Sequence, residues 1–348
     1  MNTEVFFLFL IFLILLFSSL SVVENRKDNV VLTVLLVAIF SLLVAVRPLE
    51  VPDTLAYIEA YELLNVSLTD LFSHRFEVGF VSLMMFVKSV FKENYYFLFL
   101  CVAIVNCYIV FLGGKKIGAE NLLLFIIVYL SFYGVYYNFI FLREGLAFSL
   151  TLYAWAVVGE SRLKAAFFIL MAILFHKVAV IALLLLPLIV LNPSMPKWFF
   201  VAWAMLMTFF YILKVDRYYL VEVLNFFMNM DFLRDKMAFY VARLKLEYGY
   251  SARFIVYLFF SYIFAFSHTG EKVYNRFMIV YMCGVSLYAM LSTFLWVERI
   301  SGILLGTIFV LIYLLSERSK SFLQASVFFL VMLYISSSVF FSFRIAWT

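Results

Sequence analysis

Six ionisable side chains interrupt long apolar runs in this chain: Arg143 and Glu144, His176 and Lys177, Glu298 and Arg299. A charge at membrane depth is costly, so each is expected to face a polar cavity or a partner, and each is a candidate for chemistry. Arg143-Glu144-Gly145 opens a helix after the aromatic run Phe132-Tyr133-Gly134-Val135-Tyr136-Tyr137-Asn138. A guanidinium there can fork onto two phosphate oxygens and stays charged at any relevant pH, which suits a clamp on an anionic head group. A snorkelling interfacial anchor would use the same residue. His176 is the only histidine inside an apolar stretch; it can take and return a proton near neutral pH, as a general base at a wet outer-face cavity must. The plainer reading is a hydrogen-bonded core histidine. Glu298-Arg299 stands at a helix mouth, and adjacent residues on a helix point to different partners. A second arginine beside Arg143 would complement a diphosphate, while helix-end anchoring is the alternative.

A further set lies in the stretch 47–95. Asp53, Tyr57 and Tyr61 repeat every four residues and share one face of a helix. A carboxylate with two phenols suits a sugar, whose faces stack on rings and whose hydroxyls donate to acids; simple packing is the alternative. Arg75-Phe76-Glu77-Val78-Gly79 closes the stretch and can deliver one more arginine and a carboxylate. There is no glycine-rich phosphate loop with a lysine, no metal-ligand cluster and no Asp-x-Asp pair, so phosphate recognition is expected to rest on arginines, without metal or cofactor.

The elements that must hold these residues are membrane helices. Of 348 residues, 67% are hydrophobic and 14% charged, too apolar for one soluble core. Segments long enough to cross begin near residues 5, 30, 96, 121, 144, 165, 178, 198, 253, 277, 300 and 322, about twelve in all. The expected fold is an all-α polytopic membrane bundle forming a single domain over 1–348. Lys and Arg in short loops (Arg26 and Lys27, Lys115 and Lys116, Arg162 and Lys164, Arg318 and Lys320) favour the cytoplasm, which puts the longer loops 47–95 and 214–252 outside. Basic residues in 214–252 run against that threading. Gly79 to Phe91 is expected to be a partly buried helix rather than a span. The stretch 165–191 is too long for one span and has Phe175-His176-Lys177 near its middle, which predicts two short helices meeting at a bend. A net charge of +5, scattered in small clusters, excludes nucleic acid as a partner. Cys101, Cys107 and Cys283 lie in apolar runs without disulfide or zinc spacing.

Five motifs in fixed order span most of the chain: Asp53 with Tyr57 and Tyr61; Phe76-Glu77-Val78-Gly79-Phe80; Tyr137-Asn138-Phe139 leading to Leu142-Arg143-Glu144-Gly145-Leu146-Ala147; Leu174-Phe175-His176-Lys177; and Glu298-Arg299-Ile300-Ser301. In this order the chain resembles the EpsG family of bacterial exopolysaccharide proteins, grouped with the Wzy-type polymerases. The family typically has Arg-Gln-Gly where this chain has Arg143-Glu144-Gly145, which leaves the role of Glu144 open. The resemblance implies a fold like the multi-spanning, GT-C-like lipid-dependent glycosyltransferases. It also implies polymerisation of undecaprenyl-diphosphate-linked oligosaccharide repeat units, for O-antigen, capsule or exopolysaccharide, on the outer side of the bacterial inner membrane. In that reading Arg143, Arg299 and Arg75 neutralise the departing diphosphate, and His176 is the base with Glu77 its rival. Asp53, Tyr57, Tyr61 and Glu298 contact sugar, and a chain-length regulator is a candidate partner. The competing classes are a lipid-linked oligosaccharide flippase, which needs ionisable groups near mid-membrane reachable from both sides, and a membrane O-acyltransferase acting on polysaccharide.

Overall fold

The computed structural model describes residues 6, 9–14, 16–18, 29–67, 71–72, 74–191, 193–215, 251–292 and 297–318. Among them every regular element is a helix. In lipid that outcome follows from backbone chemistry, because a helix satisfies its N–H and C=O groups within one segment. The helices are α1 (Asn29–Ala45), α2 (Thr54–Leu63), α3 (Val78–Phe91), α4 (Tyr96–Ile117), α5 (Leu122–Phe139), α6 (Leu142–Val157), α7 (Arg162–Phe175), α8 (Val180–Leu191), α9 (Lys197–Ile212), α10 (Ala252–Phe266), α11 (Lys272–Met290), α12 (Val297–Leu305) and α13 (Ile308–Arg318).

Among the described residues, three stretches are long and apolar enough to cross a membrane: Tyr96–Ile117, Leu122–Phe139, and Val297–Arg318, which joins α12 to α13. Val30–Ala45, Val78–Phe91, Lys177–Leu191, Lys197–Ile212 and Arg253–Phe266 are apolar but shorter. Twelve full-length crossings are therefore more than the described helices supply by length. The span expected near residue 322, the basic residues Arg26, Lys27 and Lys320, and most of the 214–252 loop lie outside the described residues. Among the described residues, the stretch 47–95 holds α2 and α3. Between 165 and 191 the chain forms α7, one 3₁₀ turn at Lys177–Ala179 and α8, with His176 extended at the bend as the sequence predicts.

The described residues fall into two compact units, one within Met1–Leu186 and Ile312–Thr348, the other within Pro187–Leu311. In the first, α6 packs between α4 and α7, α1 packs on α4, and α3 lies against α4 and α7. Almost every side chain of α6 is buried, which fits a central helix. Local chemistry sets the ends: Asn121 caps α5 by accepting from the Leu124 N–H at 2.9 Å, Ser161 caps α7, and Gly118 (φ 83°) ends α4 in the left-handed conformation glycine adopts freely. One π turn, Leu130–Gly134, interrupts α5. In the second unit, α9, α10 and α11 pack on one another, and α12 packs on α11.

Candidate active site

Glu77 immediately precedes α3, in the position where an acid often caps a helix. Its carboxylate does not cap. It turns instead to two residues far away in sequence: Oε2 accepts from Arg143 Nη1, and Oε1 lies 3.1 Å from His176 Nδ1. The three side chains are 17%, 24% and 14% exposed, so water reaches the cluster without flooding it.

Two glycines make this meeting sterically feasible, each two residues beyond a charge. A Cβ on Gly79 would lie 2.8 Å from the Leu174 carbonyl oxygen, so only glycine lets the start of α3 touch the backbone of α7 two residues ahead of His176. A Cβ on Gly145 would lie 2.8 Å from Tyr137 Cβ and 2.9 Å from the Tyr137 carbonyl oxygen, so glycine seats the first turn of α6 against the end of α5. Arg143, the second residue of α6, is thereby fixed relative to Glu77.

Burial alone would push the Glu77 carboxyl up, but the hydrogen bond from His176 and the positive charge of Arg143 outweigh it and hold the group at about 2. The carboxylate is therefore ionised at neutral pH and well suited to orient a histidine. With Nδ1 engaged by Glu77, no hydrogen bond among the described residues occupies His176 Nε2, the nitrogen that would receive a proton. The tautomer with Nδ1–H donating to the carboxylate leaves Nε2 basic.

The neighbours of Arg143 complete the centre. Its charge acts on the Tyr57 phenol as well as on Glu77, and its guanidinium lies 4.4 Å from the centroid of the Phe76 ring. Arg75 stands 5.0 Å from the centroid of that ring; its Nη2 donates to the Ala56 carbonyl at 2.6 Å and approaches Glu59 at 3.8 Å in an exposed pair. Glu144 is 3% exposed and Arg143 is partly open, so the neighbouring acid projects into the protein and leaves the arginine to Glu77.

Of the predicted sugar contacts, Asp53 is exposed ahead of α2, with φ 62° and no capping bond. Tyr57 and Tyr61 share one face as the spacing requires, but that face is buried. Tyr57 packs on Phe76 and Phe80, burial pushes its phenol up, and Tyr61 donates to the Lys92 carbonyl at 2.7 Å. Glu298 and Arg299 belong to the second unit. Glu298 pairs with Arg253 at 2.6 Å, both being more than a third exposed, and Arg299 is exposed on the first turn of α12.

Sequence reasoning overlooked Arg47, which is 4% exposed beneath this site, and the buried pair Asn106 and Asn138, whose side chains meet at 3.1 Å. An arginine followed by a proline after an apolar helix reads as a loop anchor, and nothing in its spacing shows that it turns inward.

A family model described as the EpsG family matches residues 30–347. Searches among curated proteins and among solved structures return no match. With nearly the whole chain covered, and with Glu77, Arg143 and His176 gathered at one place within the matched region, this membrane protein belongs to the EpsG family, a Wzy-like polymerase family.

Proposed function

We propose that the protein polymerises lipid-diphosphate-linked oligosaccharide repeat units, with undecaprenyl diphosphate as the leaving group, at the outer face of the bacterial inner membrane. The observation that carries this reading is the convergence of an arginine, a histidine and one carboxylate at a partly buried position. The growing chain on its lipid carrier is the donor, and the terminal sugar hydroxyl of an incoming repeat unit is the acceptor. The hydroxyl oxygen attacks the anomeric carbon as the bond to the diphosphate oxygen breaks. The proton passes to His176 Nε2 while Glu77 holds Nδ1, and the electron pair leaves on the diphosphate. Arg143 exchanges part of its contact with Glu77 for phosphate oxygens, and Arg75 beyond Phe76 adds charge at the same mouth. Arginines then do the electrostatic work in a metal-independent transfer. Asp53, exposed ahead of α2 in the same unit, is the candidate for a sugar hydroxyl. A single displacement inverts the anomeric centre.

Glu77 serves better as orienter than as base, because a carboxylate held at about 2 has little affinity for a proton at neutral pH. The test is purified protein in lipid with a synthetic lipid-linked repeat unit. A ladder of polymer is expected, insensitive to chelator, with inverted linkage by NMR. Deletion cells should keep surface product limited to one repeat unit; no surface product at all would indicate a flippase, and labelled acyl groups in the polysaccharide an acyltransferase.

A further inference from the structure

Arg47 touches none of the three clustered residues directly, yet it holds the turn that leads into Arg143. It follows α1 and is buried beneath α5, where its guanidinium carbon lies 3.5 Å from the centroid of the Phe99 ring. Nη1 donates to the carbonyls of Asn138 at 3.3 Å and Phe139 at 2.8 Å, the last two residues of α5. These are the carbonyls a helix end leaves without intrahelical partners, at the pole where a cation is favoured. Ile140 and Phe141 make the break, both donating back to the Tyr136 carbonyl, and Leu142 then opens α6 with Arg143 next.

The same turn is pinned from two other sides. The Asn138 side chain donates to the Gly134 carbonyl at 2.6 Å and accepts from Asn106, and Gly145 seats α6 on Tyr137. Burying a guanidinium is expensive, and here Nε and Nη2 are buried without a hydrogen-bond partner while burial draws the group down to about 9 against the opposing effects of Tyr57 and Asp53. An apolar side chain would fill the space at less cost, so packing alone does not account for a charge there. What the charge adds is a directional hold on two carbonyls, five and four residues before Arg143.

We infer that Arg47 is a positioning residue: by gripping the carbonyls of Asn138 and Phe139 it fixes the α5–α6 break and so aims the Arg143 guanidinium at Glu77. Its catalytic consequence rests on the function proposed above; its structural consequence does not. The test uses the full chain in lipid nanodiscs with Arg47→Met and Arg47→Lys, read by two measurements. Backbone hydrogen exchange over 138–145 is expected to rise in Arg47→Met, with exchange elsewhere unchanged, and to rise less in Arg47→Lys, whose point charge reaches one carbonyl. Polymerisation kinetics are expected to show kcat lower by about 10- to 100-fold in Arg47→Met, with KM for the lipid-linked donor within about two-fold and partial rescue in Arg47→Lys. Unchanged exchange over 138–145 overturns the inference. A raised KM with intact kcat also overturns it, since Arg47 would then grip the substrate itself. Should the wild type make no polymer, the proposed function fails while the exchange experiment still decides the role of Arg47. Should Arg47→Met fail to insert, Arg47→Lys alone decides it by the same two readouts.

Discussion

Each unit carries an arginine–glutamate contact near the start of a helix, and the two differ in everything that matters for chemistry. In the first, Glu77 is mostly buried, holds Arg143 and His176 at once, and sits where two glycines allow close packing of α3 on α7 and of α6 on α5. In the second, Glu298 and Arg253 are more than a third exposed and join two helix starts, near Ser251, whose hydroxyl accepts from the Tyr288 phenol and whose backbone N–H donates to the Tyr211 phenol. An exposed ion pair is worth little, because water screens it and two long side chains lose freedom to make it. In the proposed reaction, a mostly buried carboxylate shared by a permanent cation and a titratable ring would couple phosphate binding to proton transfer. Charge pairing is thus common to both; a third, proton-carrying partner and a scaffold that excludes bulk water belong to one.

The comparison can be broken at four points. Arg143→Ala should abolish polymer, a loss of at least about 100-fold, with membrane insertion intact; a ladder of normal length in a surface-polysaccharide gel would remove any special status from the first cluster. His176→Gln should lower kcat by about 10²- to 10⁴-fold with donor binding retained, and full activity in single-turnover measurements would move the base elsewhere. Gly79→Ala should destabilise the first unit by about 1–3 kcal/mol in detergent melts, since the new methyl group meets the Leu174 carbonyl, and should lower activity. Arg253→Ala should change stability by no more than about 1 kcal/mol and activity by less than the others; a loss matching that of Arg143→Ala would place the second pair in the chemistry too.

Acid sharpens the same contrast. The Glu77 carboxyl is depressed from its ordinary 4.5 to about 2, so the unfolded chain binds its proton first as pH falls. The contribution to stability is present above about 4.5 and is lost progressively as pH drops to about 2. The stability difference between wild type and Glu77→Gln should therefore shrink on acidification through that window in pH-dependent melts. A difference that stays constant would mean that the ion contacts do not form.

Much of the helical pattern was legible in the chain because lipid forces it. Apolar runs near 96, 121 and 300 become stretches long enough to cross, since a backbone in hydrocarbon must bond to itself. The bend at His176 was legible for a related reason: a pair of ionisable residues in mid-run ends one helix and begins another. Arg143, His176 and Glu77 stood out as ionisable residues beside apolar runs. Their partnership did not, because 66 residues separate Glu77 from Arg143 and 99 separate it from His176, and no periodicity reports a contact over such distances. Tyr57 and Tyr61 show the limit of spacing from the other side. A four-residue repeat states that two rings share a face, while burial depends on what covers that face, here Phe76 and Phe80 for Tyr57.

By itself, then, the order of residues determined the solvent, the helical class, the family pattern and which side chains are costly enough to need a reason. Those properties follow from local composition and from backbone hydrogen bonding within one segment. Only the tertiary structure decided that Glu77 holds Arg143 and His176 together, that Arg47 turns inward under the α5–α6 break, and that Gly79 and Gly145 allow the backbones to touch. Such contacts depend on distances of a few ångströms between segments far apart in the chain, and packing alone sets those distances.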